Sequence, residues 1–333
     1  MDSLSQIVLG AAVGEAVAGK QIGRKAPLIG AIFGTIPDLD VFLKYVIDGV
    51  IDQDLAHRGF SHSIVFALLL ALISTPLLLK IFNRKITKVR LFSLAFLSTV
   101  THPMLDAFTT WGTQFFWPLQ DRIAFNSIFV IDPIYTLPFL ILCLWAICLP
   151  KTSKKRRRLN YLGLVLSCTY LIITLGIKES LYRDVANNPV HENFIQHEVK
   201  PMPLTSLYWT AMLEGEKGFD IGYRNLIKDS SFVWEEYIPK NHHLLDRYLS
   251  PKQIEKIAFL TKGYYAAEKK HDTLFVYDLK FGTLSKLSAG KNLSPLMGYG
   301  FVLQQEGVSS MFKLTDIHKI GDANFKAYKN YIF

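Results

Sequence analysis

Six apolar runs occupy the first half of the chain, at roughly 4–18, 27–47, 63–80, 91–108, 128–149 and 160–177. Runs of this kind point to membrane helices, because a backbone in lipid must satisfy its own hydrogen bonds within a helix or a closed barrel. The first run is short and rich in Gly and Ala, which suits a close-packed or partly inserted helix. It lacks a basic leader and a cleavage site, so it is expected to be retained as a helix. After Lys178 the composition becomes that of a soluble domain. The expected fold is therefore an α-helical integral membrane bundle of about six membrane segments, residues 1–177, followed by a small α+β extramembrane domain, residues 178–333.

The net charge of +9 raises the question of nucleic acid. Its placement argues against that partner. Residues 1–177 hold 17 Lys+Arg against 10 Asp+Glu, and 14 of the 17 lie in 20–25, 80–90 and 151–158. These short segments separate apolar runs, as the positive-inside bias requires, whereas a nucleic-acid surface gathers its cations on a folded domain. The basic KTSKKRRR loop suits contact with anionic membrane lipids. Placing all three segments in the cytoplasm makes the chain a multi-pass plasma-membrane protein. The acid-rich 48–62 loop, residues 109–127 and the whole C-terminal domain are then extracytoplasmic.

That topology gathers the ionisable residues. Asp38 and Asp40 in GTIPDLD, His57 and His62 in HRGFSHS, and His102 and Asp106 in THPMLD all fall at the outer level. No other histidine occurs in the membrane half. Ionisable groups at membrane depth mark function by default, and imidazole with carboxylate is ligand chemistry for a divalent metal, Zn or Mn rather than Mg. His102 and Asp106, four apart, share a helix face. Asp38 and Asp40, two apart, do so only if Pro37 and Gly34 break the helix. Gly59 permits a tight turn, and Ser61 or Ser63 is placed to cap the next helix. Arg58 is either an anion-stabilising group or a counter-ion. Asp132 sits at a helix start, where capping and a supporting role at the site are equally suited, Asp2 suits capping, and Thr109 and Thr110 suit orienting roles or a plain turn. Glu15, on the inner half, reads as a packing or lipid-interface residue.

The other six histidines lie after Lys178 without ligand spacing, and the three cysteines read as buried hydrophobes. In the C-terminal domain a helix is expected across 242–262, with strands at TLFVYDLKFG and YGFVLQQEG. PMPLTSLYWTAM reads as loop then helix, with Tyr208 and Trp209 at the membrane interface.

At MDSLSQIVLGAAVGEAVAG, GTIPDLDVF, HRGFSHS, HPMLDAFTTWGTQFFWP and IFVIDPIYTLP the chain resembles the membrane-bound metal-dependent hydrolases, also described as LexA-binding, inner-membrane-associated hydrolases. The resemblance covers about residues 1–150. It implies a divalent-metal-dependent hydrolase with the Asp- and His-bearing motifs as ligands. Many members have a histidine where this chain has Gln6, which leaves Gln6 as a supporting candidate.

The function expected is hydrolysis of an ester or phosphoester, with a lipid or lipid-linked substrate favoured by a site beside the outer leaflet, and with Asp38, His57, His62, His102 and Asp106 as core ligands. Asp40 would bridge or support, and Arg58 would hold the anion. Two other readings stand beside it. One is an ion or proton transporter, which needs ionisable groups toward the inner side as well. The other is a non-catalytic sensor or regulator with a closed structural metal site.

Overall fold

The computed structural model describes residues 1–82, 86–187, 190, 193–283, 295–304 and 307–315. The chain divides into two compact units. One comprises Met1–Leu43, Ala56–Ile177 and Pro203–Thr205; the other comprises Lys44–Leu55, Lys178–Met202 and the described residues from Ser206 onward.

The first unit is helical: α1 (Ser3–Ile22), α2 (Lys25–Thr35), α4 (Ile64–Ile81), α5 (Lys88–Asp106), α6 (Pro133–Cys148) and the start of α7 (Lys154–Asn187). Helix α1 packs on α2, α5 and α6. Its approach to α2 is set by glycines four apart on each helix, Gly10 and Gly14 facing Gly30 and Gly34. A Cβ at Gly10 would overlap the Gly30 carbonyl oxygen, and one at Gly30 would overlap that of Gly10. Small residues at this spacing let two backbones touch where lipid supplies no hydrophobic drive.

Among the described residues, three helical stretches are long and apolar enough to cross a membrane: Lys25–Tyr45, Ile64–Ile81 and Lys154–Asn187. Pro133–Cys148 is a shorter apolar helix. This corrects the expected six. Helices α1 and α5 exist, but ten positions of each are buried within the protein. They carry small and polar residues where a lipid-facing helix carries large apolar ones, so their hydropathy is low. The second apolar run is not one helix either. It is α-helical to Thr35 and 3-10 over Ile36–Tyr45, the change falling beside Pro37 as expected. Of the cysteines, Cys143 is buried, while Cys148 and Cys168 are exposed on helix surfaces.

Among its described residues the second unit contains two four-stranded antiparallel sheets in meander order, one formed by β1 (Gln196–Pro201), β2 (Tyr208–Glu214), β3 (Gly218–Asn225) and β4 (Val233–Pro239). The other is formed by β5 (Tyr265–Lys270), β6 (Thr273–Thr283), β7 (Pro295–Gln304) and β8 (Gly307–Thr315). Strands β6 and β7 lie where the alternating pattern placed strands. The helix expected over 242–262 is two, α8 (His243–Tyr248) and α9 (Pro251–Thr261), because Ser250 caps the second in a reciprocal box with Gln253 and Pro251 starts it. The 208–214 stretch is a strand buried along its whole length, not a helix. Tyr208 and Trp209 are core residues rather than interface anchors, and Trp209 Nε1 donates to Ser206 O at 2.8 Å. A short helix from the first half, α3 (Val50–Ala56), contributes Ile51 to the core made with Leu245, Ile257, Leu260, Val276 and Phe301.

Candidate metal centre

The 3-10 turn after α2 presents both aspartates to one place, although two residues apart on an α-helix they would diverge. Asp38 meets the histidines of two other elements. Its Oδ1 lies 3.4 Å from His62 Nε2 and 3.3 Å from His102 Nε2. Asp106 Oδ2 lies 3.5 Å from His62 Nε2 and 3.6 Å from His102 Nε2, and the two Nε2 atoms are 3.2 Å apart. Asp38, His62, His102 and Asp106 thus form a group that can hold a metal ion. All but Asp38 are fully buried; the Asp38 side chain is 23% exposed.

The ring protons can be assigned from the partners. His102 Nδ1 lies 2.6 Å from Gly34 O, and a carbonyl only accepts, so Nδ1 carries hydrogen. Ser61 Oγ donates its one hydrogen to Asp40 Oδ2 at 2.7 Å, so at 2.9 Å it accepts from His62 Nδ1. In the neutral rings both Nε2 atoms therefore turn bare lone pairs toward each other and toward two carboxylate oxygens. Such a nest of acceptors is suited to a cation. Five of its edges run from 3.2 to 3.6 Å. A tetrahedron with metal–ligand distances of ~2.0–2.1 Å has edges of ~3.3–3.4 Å. Asp106 Oδ2 is buried without a hydrogen bond, its nearest cation being Arg58 Nε at 3.1 Å, which leaves it open to a metal ion as well.

Asp40 and His57, expected among the ligands, stand one layer out. Asp40 Oδ1 is 2.8 Å from His57 Nδ1, and Oδ2 accepts the Arg58 amide at 2.9 Å and lies 3.2 Å from His62 Nδ1. Asp40 thus stands where an outer carboxylate would orient a metal-binding imidazole. The tight turn is carried by Arg58 itself, at φ +60°, rather than by Gly59. Gly59 instead provides room: a Cβ there would come within 3.1 Å of Ala56 O and 3.2 Å of Gln114 Oε1. The left-handed backbone at Arg58 sends its amide to Asp40 and its side chain inward. There Nε lies 3.1 Å from Asp106 Oδ2 and Nη1 donates to Thr109 Oγ1 at 3.2 Å. Thr109 Oγ1 in turn donates to Asp106 O at 2.7 Å.

Gln6 Nε2 donates to Asp106 Oδ1 at 2.9 Å and to His102 O at 3.3 Å, steadying two ligand-bearing turns. The Met1 amine also contacts Asp106 Oδ1. Ser63, not Ser61, caps α4. Asp132 is the cap of α6, accepting from the Ile134 and Tyr135 amides and from Tyr170 Oη at 2.7 Å, and Asp2 caps α1. Glu15 is no simple packing residue: it accepts from Arg156 Nε and Nη2, both at 2.6 Å, with both side chains buried.

Two residues near the site escaped the sequence reading. Trp111 lies edge-on to the His57 ring, and Arg122 sits over Trp111 while its Nη2 donates to His57 O at 2.8 Å. Their one signal was a lone arginine and a glycine-flanked tryptophan in an otherwise outward loop. In the second unit His197 and His242 bond to the carbonyls of Tyr182 and Tyr265, and burial lowers both their pKa values. His191 and His318 lie outside the described residues.

The family described as YdjM inner membrane protein matches residues 1–181, the region that builds this centre. The chain belongs to that family. It is 30% identical over 141 residues to the "Uncharacterized protein YfhP" of Bacillus subtilis (strain 168), covering 40% of this chain and 42% of the relative. It is 30% identical over 115 residues to the "Inner membrane protein YbcI" of Escherichia coli (strain K12), covering 34% of this chain and 65% of the relative. The chain thus spans less than two thirds of either relative. No solved structure matches it. The family and the apolar helices make it an inner membrane protein.

Proposed function

We propose that the protein is a metal-dependent hydrolase of the inner membrane, acting at an extracytoplasmic site on an ester or phosphoester of a lipid or lipid-linked substrate. The observation that carries the reading is the near-tetrahedral set of Asp38, His62, His102 and Asp106 with Arg58 against it. The donor set of two imidazoles and two carboxylates fits Zn or Mn. A divalent ion held there would supply Lewis acidity and an activated water. The residues around it supply the rest. Arg58, fixed by Thr109, is placed to bind a substrate anion, and the partly exposed His57, backed by the buried Asp40, is placed to move a proton. The same 3-10 helix exposes Leu39, Phe42 and Leu43, an apolar approach suited to acyl chains.

One observation favours a second reading. Four protein ligands close a tetrahedron, as in structural zinc sites, and a sensor or regulator stabilised by its metal would show this. Transport is the poorer fit, because Glu15 is committed to Arg156. Metal content of the detergent-purified protein, measured beside a His62→Ala/Asp106→Ala variant, tests the site. About one equivalent of Zn or Mn, lost in the folded variant, is expected. Turnover of fluorogenic lipid esters or phosphoesters, abolished with the metal and sharply reduced in Arg58→Ala, supports the hydrolase. Stoichiometric metal with no turnover of either class moves the assignment to the structural reading.

A further inference from the structure

The first unit has a second polar cavity that the metal centre leaves unused. It measures about 260 Å³ and opens between the end of α1 and the starts of α5 and α7, among Glu15, Lys20, Gln21, Arg90, Arg157 and Asn160. Glu15 brings no free charge to it, being held by Arg156 from the protein side. Lys20, Arg90 and Arg157 come from three different helices and form no ion pair among the described residues. Their convergence leaves an uncompensated positive cluster at one end of the bundle. Asn160 is 2% exposed; its Nδ2 donates to Ala12 O at 2.9 Å, while its Oδ1 is buried and has no donor. Gln21 Oε1 is in the same state. Cations with two orphaned carbonyl oxygens describe a ligand that is both anionic and rich in hydroxyls.

We propose that this cavity binds the headgroup of an anionic phospholipid carrying a glycerol-type headgroup. The phosphate would sit among Lys20, Arg90 and Arg157, and the headgroup hydroxyls would donate to Asn160 Oδ1 and Gln21 Oε1. Leu162 and Val165, exposed on α7 beyond the cavity, give the acyl chains an apolar path. That path favours a lipid over free phosphate. A zwitterionic headgroup would bring its own cation into a pocket already positive. The charge bias places this end at the cytoplasmic leaflet, where basic pockets between helices meet anionic headgroups. The inference does not depend on the metal centre.

Native mass spectrometry of the full-length protein, titrated with phosphatidylglycerol, phosphatidylcholine or inorganic phosphate, tests it. Phosphatidylglycerol should bind roughly tenfold more tightly than phosphatidylcholine, and Lys20→Gln/Arg90→Gln/Arg157→Gln should remove that preference. Lys151→Gln/Lys154→Gln/Arg158→Gln, which removes the same charge outside the cavity, should leave it within about twofold. Gln21→Glu, nearly the same shape, should weaken phosphatidylglycerol binding alone. An equal loss in both triple variants would mean diffuse charge attraction and overturn the site. Inorganic phosphate saturating the cavity as readily as the lipid would overturn the lipid assignment.

Discussion

Asp40 shows how much one side chain can organise without touching a metal. Its two oxygens hold the Arg58 amide, Ser61 and His57, and lie beside His62 Nδ1. An amide in its place would point hydrogens at groups that need an acceptor. Asp40→Asn should lower metal affinity by about 10–100-fold with saturating stoichiometry retained, as read by competition against a metal indicator. Unchanged affinity would show that Asp40 does not orient His62. Lys200 offers a residue-level test in the other unit. Burial holds its pKa down to about 7, against the opposing pull of Glu198 and Asp278, and its Nζ donates to Leu279 O at 2.9 Å. The folded chain then binds fewer protons than the unfolded one between about pH 7 and the ordinary lysine value of 10.5. Stability should rise across that window, so that it is lost as pH falls from about 10.5 to about 7 and is flat below. Denaturation followed by far-UV circular dichroism at the strand signal should show the slope, and Lys200→Met should flatten it.

Among the elements, the α1–α2 contact is the least forgiving. Gly30 meets Gly10 and Gly14 with no space for a Cβ, so the backbones must part or the helices lose their register. Gly30→Val should destabilise by about 3 kcal/mol or more and lower the thermal transition in detergent. A silent substitution would mean that the helices do not pack this closely. The Glu15–Arg156 pair, buried and bidentate, predicts that Arg156→Ala costs about 3–5 kcal/mol by stranding a carboxylate, while Glu15→Gln/Arg156→Met restores most of it. Much of this architecture was legible in advance. Pro37 announced the break that lets Asp38 and Asp40 both approach His62, and the i, i+4 spacing of His102 and Asp106 announced a shared face. The 208–214 strand was not legible, because its pairing with both β1 and β3 overrides the local pattern. The apolar-run count misled for a related reason: α1 and α5 are surrounded by protein and need not be greasy.

In the molecule as a whole, the chain leaves the helical unit after Leu43 and returns at Ala56, and Lys44–Leu55 belongs to the sheet-bearing unit. Asp54 Oδ1 and Oδ2 accept from Lys313 and Tyr299 at 2.6 and 2.9 Å, Asp52 pairs with Lys256, and Ile51 is in the core. A chain truncated after residue 177 should therefore be cut by proteinase K within 44–55, while the full chain resists there. Equal cleavage of both would deny that the segment is integrated. No pattern in IDGVIDQDLA foretold those distant partners, since a short acid-rich loop reads the same whether solvated or docked.

Residue order settled what local chemistry controls: apolar runs that seek lipid, basic segments between them, a proline that breaks a helix, and His and Asp motifs expensive to leave alone at membrane depth. Tertiary structure settled what depends on distant partners. It drew four of six candidate ligands into an approximate tetrahedron, set Asp40 and His57 behind them, gave Asp132 to a helix cap and Glu15 to Arg156, and made 208–214 a strand. Proton positions and ligand edges are properties of three-dimensional neighbours, and those neighbours here lie as far as 68 residues apart along the chain.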